Sequence, residues 1–166
     1  RALDLAAGKG LRLPVVWNTC GWERLEVLKK LDGIADIYLP DFKYADGEMA
    51  GKYSSDSFTY LEITRKALKE MHRQVGDLQL GSDGIARRGL LVRHLVLPHG
   101  RAGTREVMRF IATQVSSNTY VNIMSQSHVD YEAYNYPEIA RGITVEEFLE
   151  AVEWARQAGL NNLDKQ

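Results

Sequence analysis

The chain is poor in cysteine and proline, has no long apolar run, and carries no excess of either charge sign. Its 166 residues include one cysteine, Cys20, and four prolines. A single thiol forms no intrachain disulfide, and it is too few for a zinc or iron–sulfur site built on cysteines. No stretch of about 18 apolar residues occurs, so no membrane-spanning helix is expected. The 21 Lys and Arg oppose 22 Asp and Glu, for a formal net charge of −1. That balance excludes a bulk-basic nucleic-acid binder and a charged disordered tail. Also missing are a P-loop, a G-x-G-x-x-G fingerprint and an H-E-x-x-H helix. His72, His94, His99 and His128 are scattered without metal-ligand spacing. What is present is 45% hydrophobic and 26% charged, the make-up of an ordinary globular segment long enough for a sizeable core. The sequence opens Arg1-Ala2-Leu3-Asp4, without a start methionine or signal peptide, and the expectation is one segment, 1–166, of something longer.

Hydrophobic periodicity divides the chain into alternating strands and helices. Residues 2–9 read as the last turns of a helix closed by Gly10, and 13–19 as a buried strand. Residues 22–31 carry Leu25, Leu28 and Leu31 at helical spacing, and 34–39 form a second strand ended by Pro40. Residues 46–55 read as a loop with a turn of helix. The longest helical pattern is 57–75, with Phe58, Leu61, Leu68, Met71 and Val75 on one face. Residues 78–86 predict a β-hairpin turning at Asp83-Gly84, and 90–97 a strand interrupted by Arg93 and His94. A helix over 104–115, a strand over 120–124 and a capping box, Thr144-Val145-Glu146-Glu147, opening a last helix complete the order. Solid apolar strands separated by amphipathic helices predict an α/β fold, its parallel sheet buried on both faces. That pattern fits either half of a (β/α)8 barrel or most of an open sheet.

In such folds chemistry gathers at the carboxyl ends of the strands. Those ends read Asn18-Thr19-Cys20-Gly21, Pro40-Asp41-Phe42-Lys43-Tyr44, Pro98-His99-Gly100 and Met124-Ser125-Gln126. Asp41 and Lys43 are two apart on extended backbone and so share a side; together they suit a ligand's charged groups or form a strand-end salt bridge. Arg93 inside an apolar strand implies a bound anion or a structural partner such as Asp41, unless it reaches an edge and is solvated. His94 alternates to the opposite face and reads as a packing histidine. Asn18 and Thr19 offer oxygens to a ligand or cap the next helix. Cys20 reads as a small buried hydrophobe, or else as a pocket thiol. The turn 98–103 is an anion-site candidate, and the tyrosines of 131–136 pack, cover a pocket or bind a partner.

Several of these stretches, taken in order, carry a resemblance: Gly10-Leu11-Arg12-Leu13-Pro14-Val15-Val16-Trp17-Asn18-Thr19, Ala35-Asp36-Ile37-Tyr38-Leu39-Pro40-Asp41-Phe42-Lys43-Tyr44, Met71-His72-Arg73-Gln74-Val75-Gly76, Gly89-Leu90-Leu91-Val92-Arg93-His94-Leu95-Val96-Leu97-Pro98 and Tyr120-Val121-Asn122-Ile123-Met124. The chain resembles, over nearly all its length, the radical S-adenosylmethionine proteins related to pyruvate formate-lyase-activating enzyme. The resemblance implies a partial, TIM-type (β/α)6 barrel, of which this chain would supply strands three to six with a small β-hairpin insertion. It also implies S-adenosylmethionine and a [4Fe–4S] cluster, which together generate a 5′-deoxyadenosyl radical for hydrogen abstraction. Two family features are absent: the C-x3-C-x2-C cluster loop and the Gly-Gly-Glu motif of the second strand. They are expected upstream of Arg1, which would leave this segment inactive alone.

Carried over motif by motif, the resemblance implies cofactor contacts at Asn18, Thr19, Asp41, Lys43, Arg93, Asn122 and Gln126. It implies no catalytic side chain and no metal ligand within this chain. The implied partners are a glycyl-radical protein substrate and an electron donor such as flavodoxin or ferredoxin, with no nucleic acid and no membrane, in the cytoplasm. The chain departs from the pattern at Cys20, where serine or asparagine is expected, at His99, where glycine is usual, and at Ser127-His128-Val129. Two alternatives stand beside this reading: a barrel aldolase or lyase with Lys43 as Schiff base, and a non-enzymatic remnant that binds a partner.

Overall fold

The computed structural model describes residues 2–55 and 57–164; Arg1 lies outside them. The elements run α1 (Ala2–Gly8), β1 (Val16–Thr19), α2 (Leu25–Leu31), β2 (Ile37–Pro40), α3 (Gly47–Tyr53), α4 (Tyr60–Val75), β3 (Gln79–Leu80), β4 (Ala86–Leu95), α5 (Thr104–Phe110), β5 (Tyr120–Met124) and α6 (Val145–Gln157). β1, β2, β4 and β5 are mutually parallel neighbours in that order, with Asn18 opposite Leu39, Ile37 opposite Gly89 and Arg93 opposite Asn122. β3 folds back antiparallel on the start of β4 as the expected hairpin. Past α6 the chain returns to the free side of β5, where Leu163 bridges Val121 in parallel. The spatial order of the parallel strands therefore follows the chain and never reverses. Crossovers of one hand then lay their helices on one face.

Burial agrees with that layering. Tyr38, Phe42, Tyr44, Val92, Val96, Val121 and Ile123 point to the helices and join Leu28, Leu68, Met71, Val107, Met108 and Ile111 in the core. The alternate residues Leu39, Leu91, Leu95 and Met124 are half-buried and lie outside that core. This corrects the expectation of a sheet buried on both faces. The strands are apolar on both sides, but among the described residues a helical layer covers only one.

Element boundaries shift where local bonds compete. Phe58, expected on the buried face of the long helix, is 60% exposed because α4 starts only at Tyr60, after a turn in which the Tyr60 N–H donates to the Ser57 carbonyl. The helix expected over 104–115 is α-helical only to Phe110 and then opens into a π turn, Ile111–Val115. There the Thr113 hydroxyl donates to the Arg109 carbonyl at 2.7 Å, competing with the backbone for that acceptor.

The capping box forms as expected. The Glu147 N–H donates to Thr144 Oγ1 at 3.2 Å, and the Thr144 N–H donates to Glu147 Oε2 at 2.8 Å. Thr144→Ala is expected to cost about 1 kcal/mol of stability, read as a lower urea midpoint at unchanged slope.

Candidate functional site

On the uncovered face, the carboxyl ends of β1, β2 and β4 bring four expected residues, Asn18, Asp41, Lys43 and Arg93, into one network. Register places Asp41 beside Arg93, and the Phe42 N–H donates to the Arg93 carbonyl at 2.8 Å, so backbone pairing sets the meeting of their side chains. Arg93 Nε donates to Asp41 Oδ1 at 2.8 Å, and Nη2 lies 2.7 Å from the same oxygen. Nη2 also donates to Asn18 Oδ1 at 2.9 Å. Lys43 Nζ stands 3.7 Å from the other carboxylate oxygen, Asp41 Oδ2. Asp41 and Arg93 are largely shielded, at 17% and 28% side-chain exposure, while Lys43 is more open at 41%. Two cations thus hold one carboxylate and leave a net positive charge.

Asn122 follows Arg93 across the sheet on β5. Its Oδ1 is shut off from solvent and has no hydrogen-bond partner among the described residues. An unpaired buried carbonyl oxygen is costly, and it is an acceptor waiting for a donor.

The other expected contacts behave differently. Thr19 donates to Glu23 Oε1 at 2.7 Å and accepts from the Gly21 N–H at 3.3 Å, so it fastens the turn leaving β1. Alternation along β1 puts it on the opposite side from Asn18. Gln126 is exposed beyond the end of β5. Cys20 is exposed, against the expectation of burial, because it shares Asn18's uncovered face. His94 is fully buried as expected, its Nδ1 donating to the Phe42 carbonyl at 2.6 Å and its Nε2 accepting from Thr104 Oγ1 at 2.9 Å. The 98–103 turn is spoken for: the His99 N–H donates to Glu147 Oε1 at 2.7 Å.

Two positioning residues escaped the sequence reading. Tyr60, in the first turn of α4, accepts from the Lys43 N–H at 2.9 Å, and its hydroxyl lies 3.1 and 3.2 Å from the Cys20 and Asp41 carbonyls. One buried hydroxyl therefore ties the ends of β1 and β2 together, and burial raises its pKa, keeping it neutral. Gly21 is the second. At φ +82° its missing Cβ would stand 2.1 Å from the Asp41 carbonyl oxygen. Only glycine lets the exit of β1 run that close to Asp41. For Tyr60 the available signal was an aromatic with a polar tip at the inward start of an amphipathic helix.

The site carries both halves of zwitterion recognition. Arg93 and Lys43 can donate to a carboxylate, while Asp41 and the orphaned Asn122 Oδ1 can accept from an ammonium or hydroxyl. Among the described residues no group of three His, Cys, Asp or Glu could hold a metal ion. Nor is any helix among them long and apolar enough to cross a membrane.

Comparison with known proteins gives one relative of note. No family model matches the chain, and no solved structure matches it. Over 150 residues it is 33% identical to a Methanocaldococcus jannaschii protein named "Uncharacterized protein MJ0674", a match that covers 90% of this chain and 40% of that protein. The chain is therefore similar, over most of its own length, to well under half of a longer archaeal protein.

Proposed function

We propose that this chain is the portion of a radical S-adenosylmethionine enzyme that contributes strands three to six of a partial (β/α) barrel, and that its uncovered strand ends hold the methionine end of the cofactor. The observation that carries the reading is the Asn18–Arg93–Asp41 network with Lys43 beside it and the unpartnered Asn122 Oδ1 next in register. The cofactor's α-amino acid group suits it. Its carboxylate would meet Arg93 and Lys43, and its ammonium would meet Asp41 and Asn122 Oδ1. The monotonic strand order and one-sided core support the barrel reading, since a singly wound parallel sheet keeps its helices outside.

Bound together, the cofactor and a reduced [4Fe–4S] cluster supply radical hydrogen abstraction. The residues here bind and orient; Asp41 holds Arg93 and Lys43 in place, and Tyr60 fixes the strand ends. The cluster does not fit this chain. Cys20 is its single cysteine, and no metal-holding group stands among the described residues. The proposal therefore assigns the cluster's ligands to another part of a longer protein, a reading supported by the greater length of the archaeal relative. A glycyl-radical protein as hydrogen donor and flavodoxin or ferredoxin as reductant belong to the same proposal. A Schiff-base role for Lys43 is less favoured, because its ammonium is open to solvent and faces a carboxylate, whereas such lysines work in dry settings.

The test is anaerobic reconstitution of the protein together with its upstream segment, measuring 5′-deoxyadenosine after reduction. Turnover is expected, and Lys43→Ala and Arg93→Gln should each weaken cofactor binding about tenfold. An upstream reading frame without a three-cysteine loop overturns the proposal. Borohydride trapping of a carbonyl substrate on Lys43 would instead establish the aldolase chemistry.

A further inference from the structure

On the helix side of the molecule, remote in character from the strand ends, Arg65 and Lys69 of α4 stand over the ring of Phe110 at the end of α5. The Arg65 guanidinium carbon lies 5.0 Å from the ring centroid and Lys69 Nζ lies 5.6 Å from it. Lys69 also donates to Gln114 Oε1 at 3.0 Å. Arg65 and Arg109 line a cavity of about 320 Å3 together with Phe110, Thr113, Gln114 and Glu106. Among the described residues neither arginine forms an ion pair, and Arg65 Nε is cut off from solvent without a hydrogen-bond partner. The π turn puts Thr113 and Gln114 at the cavity; such widened turns recur at functional sites.

Two arginines and one carboxylate, Glu106, line the cavity, and Lys69 stands beside it over the Phe110 ring. A shielded guanidinium N–H without an acceptor is a standing cost that an oxyanion removes. Arginine's fork matches phosphate geometry, and lysine adds a point charge. The volume is larger than one phosphate needs, and Phe110 gives the remainder an apolar wall.

We propose that this cavity binds the phosphate group of a small ligand, with Arg65 and Arg109 donating to its oxygens and Lys69 adding charge. The site is independent of the strand-end network and stands whether or not the cofactor reading holds.

Calorimetric titration of the whole chain with inorganic phosphate, pyrophosphate and adenosine monophosphate tests it. Saturable binding is expected, tighter for a phosphate ester than for phosphate alone if the ligand is a phosphorylated metabolite, and equal if free phosphate is the ligand. Arg109→Gln, at an exposed position, should weaken it about tenfold. Arg65→Lys keeps charge and much of the packing but loses Nε, and it should weaken binding by about fivefold. Melting curves in phosphate against chloride at equal ionic strength should show a stabilisation that both variants lose. No saturable heat up to about 10 mM with any of the three probes overturns the proposal. So does unchanged binding in both variants, or tight binding of a single-stranded oligonucleotide that phosphate does not displace.

Discussion

Gly89→Ala is expected to destabilise the protein by about 4 kcal/mol, from left-handed strain and steric overlap acting together. Gly89 sits in β4 at φ +121°, opposite Ile37 of β2, and its N–H donates to the Asp36 carbonyl at 2.9 Å. An added Cβ would stand 2.4 Å from the Asp77 carbonyl oxygen and 2.5 Å from Leu78 Cα. Both are backbone atoms, so no side chain can rotate away. Relief requires the 77–78 segment to leave β4 or β4 to leave β2. The second route also separates Asp41 from Arg93, which the same strand pair aligns. Gly84 is the control: it has φ +75° but nothing within 4 Å of a Cβ, so Gly84→Ala keeps the strain without the overlap and should cost only about 1 kcal/mol. Urea unfolding of the two variants separates the terms. A Gly89→Ala protein as stable as Gly84→Ala would show that the chain does not pack this closely against β4.

The sequence announces much of this frame and little of its covering. β5 lies where its apolar run falls, and the last helix opens at its Thr144–Glu147 box, because both depend on neighbours in sequence. The same holds for Asp41 and Lys43 sharing a side and for His94 facing opposite to Arg93, which two-residue alternation dictates. The uncovered face was not legible, since apolar residues at Leu39, Leu91 and Leu95 look the same whether or not a layer lies over them. The π turn depends on one threonine hydroxyl competing for a backbone carbonyl, and α5 looks like an uninterrupted helix until that bond is seen. At the site, Arg93's pairing with Asp41 was foreseeable as one of three options, beside a bound anion and a solvated edge. Asn18 as its second acceptor, and Tyr60 as the tie between strand ends, depend on contacts between residues 17 to 75 positions apart.

His94 should make the protein acid-labile from pH 6.5 downward, before its paired glutamates Glu70, Glu138 and Glu147 are fully protonated. Burial pushes its pKa from 6.5 down to about 4, the Phe42 carbonyl offsetting only part of that effect. The folded state therefore holds His94 neutral while the unfolded chain takes up a proton below pH 6.5. The stability this provides is complete above pH 6.5 and is lost as pH falls to about 4, amounting to about 3 kcal/mol across that window. Protonation would also turn Nε2 into a donor facing a Thr104 hydroxyl that now donates to it. Glu70, Glu138 and Glu147 are held down to about 2, mainly by bonds from Arg73, Lys52 and Arg141 respectively. Their contributions disappear as pH falls from 4.5 to 2, mostly below the histidine's window. His94→Asn keeps an N–H for the Phe42 carbonyl and removes the titrating ring, at a cost of about 1–2 kcal/mol at pH 7 from the lost Thr104 bond. Unfolding free energies by urea should then fall steeply from pH 6.5 to 4 in the wild type and stay nearly flat in the variant, while both fall alike below pH 4. Equal slopes above pH 4 would mean that His94 is solvated or charged in the folded protein, and the link it makes between β4, the end of β2 and α5 would have to be abandoned.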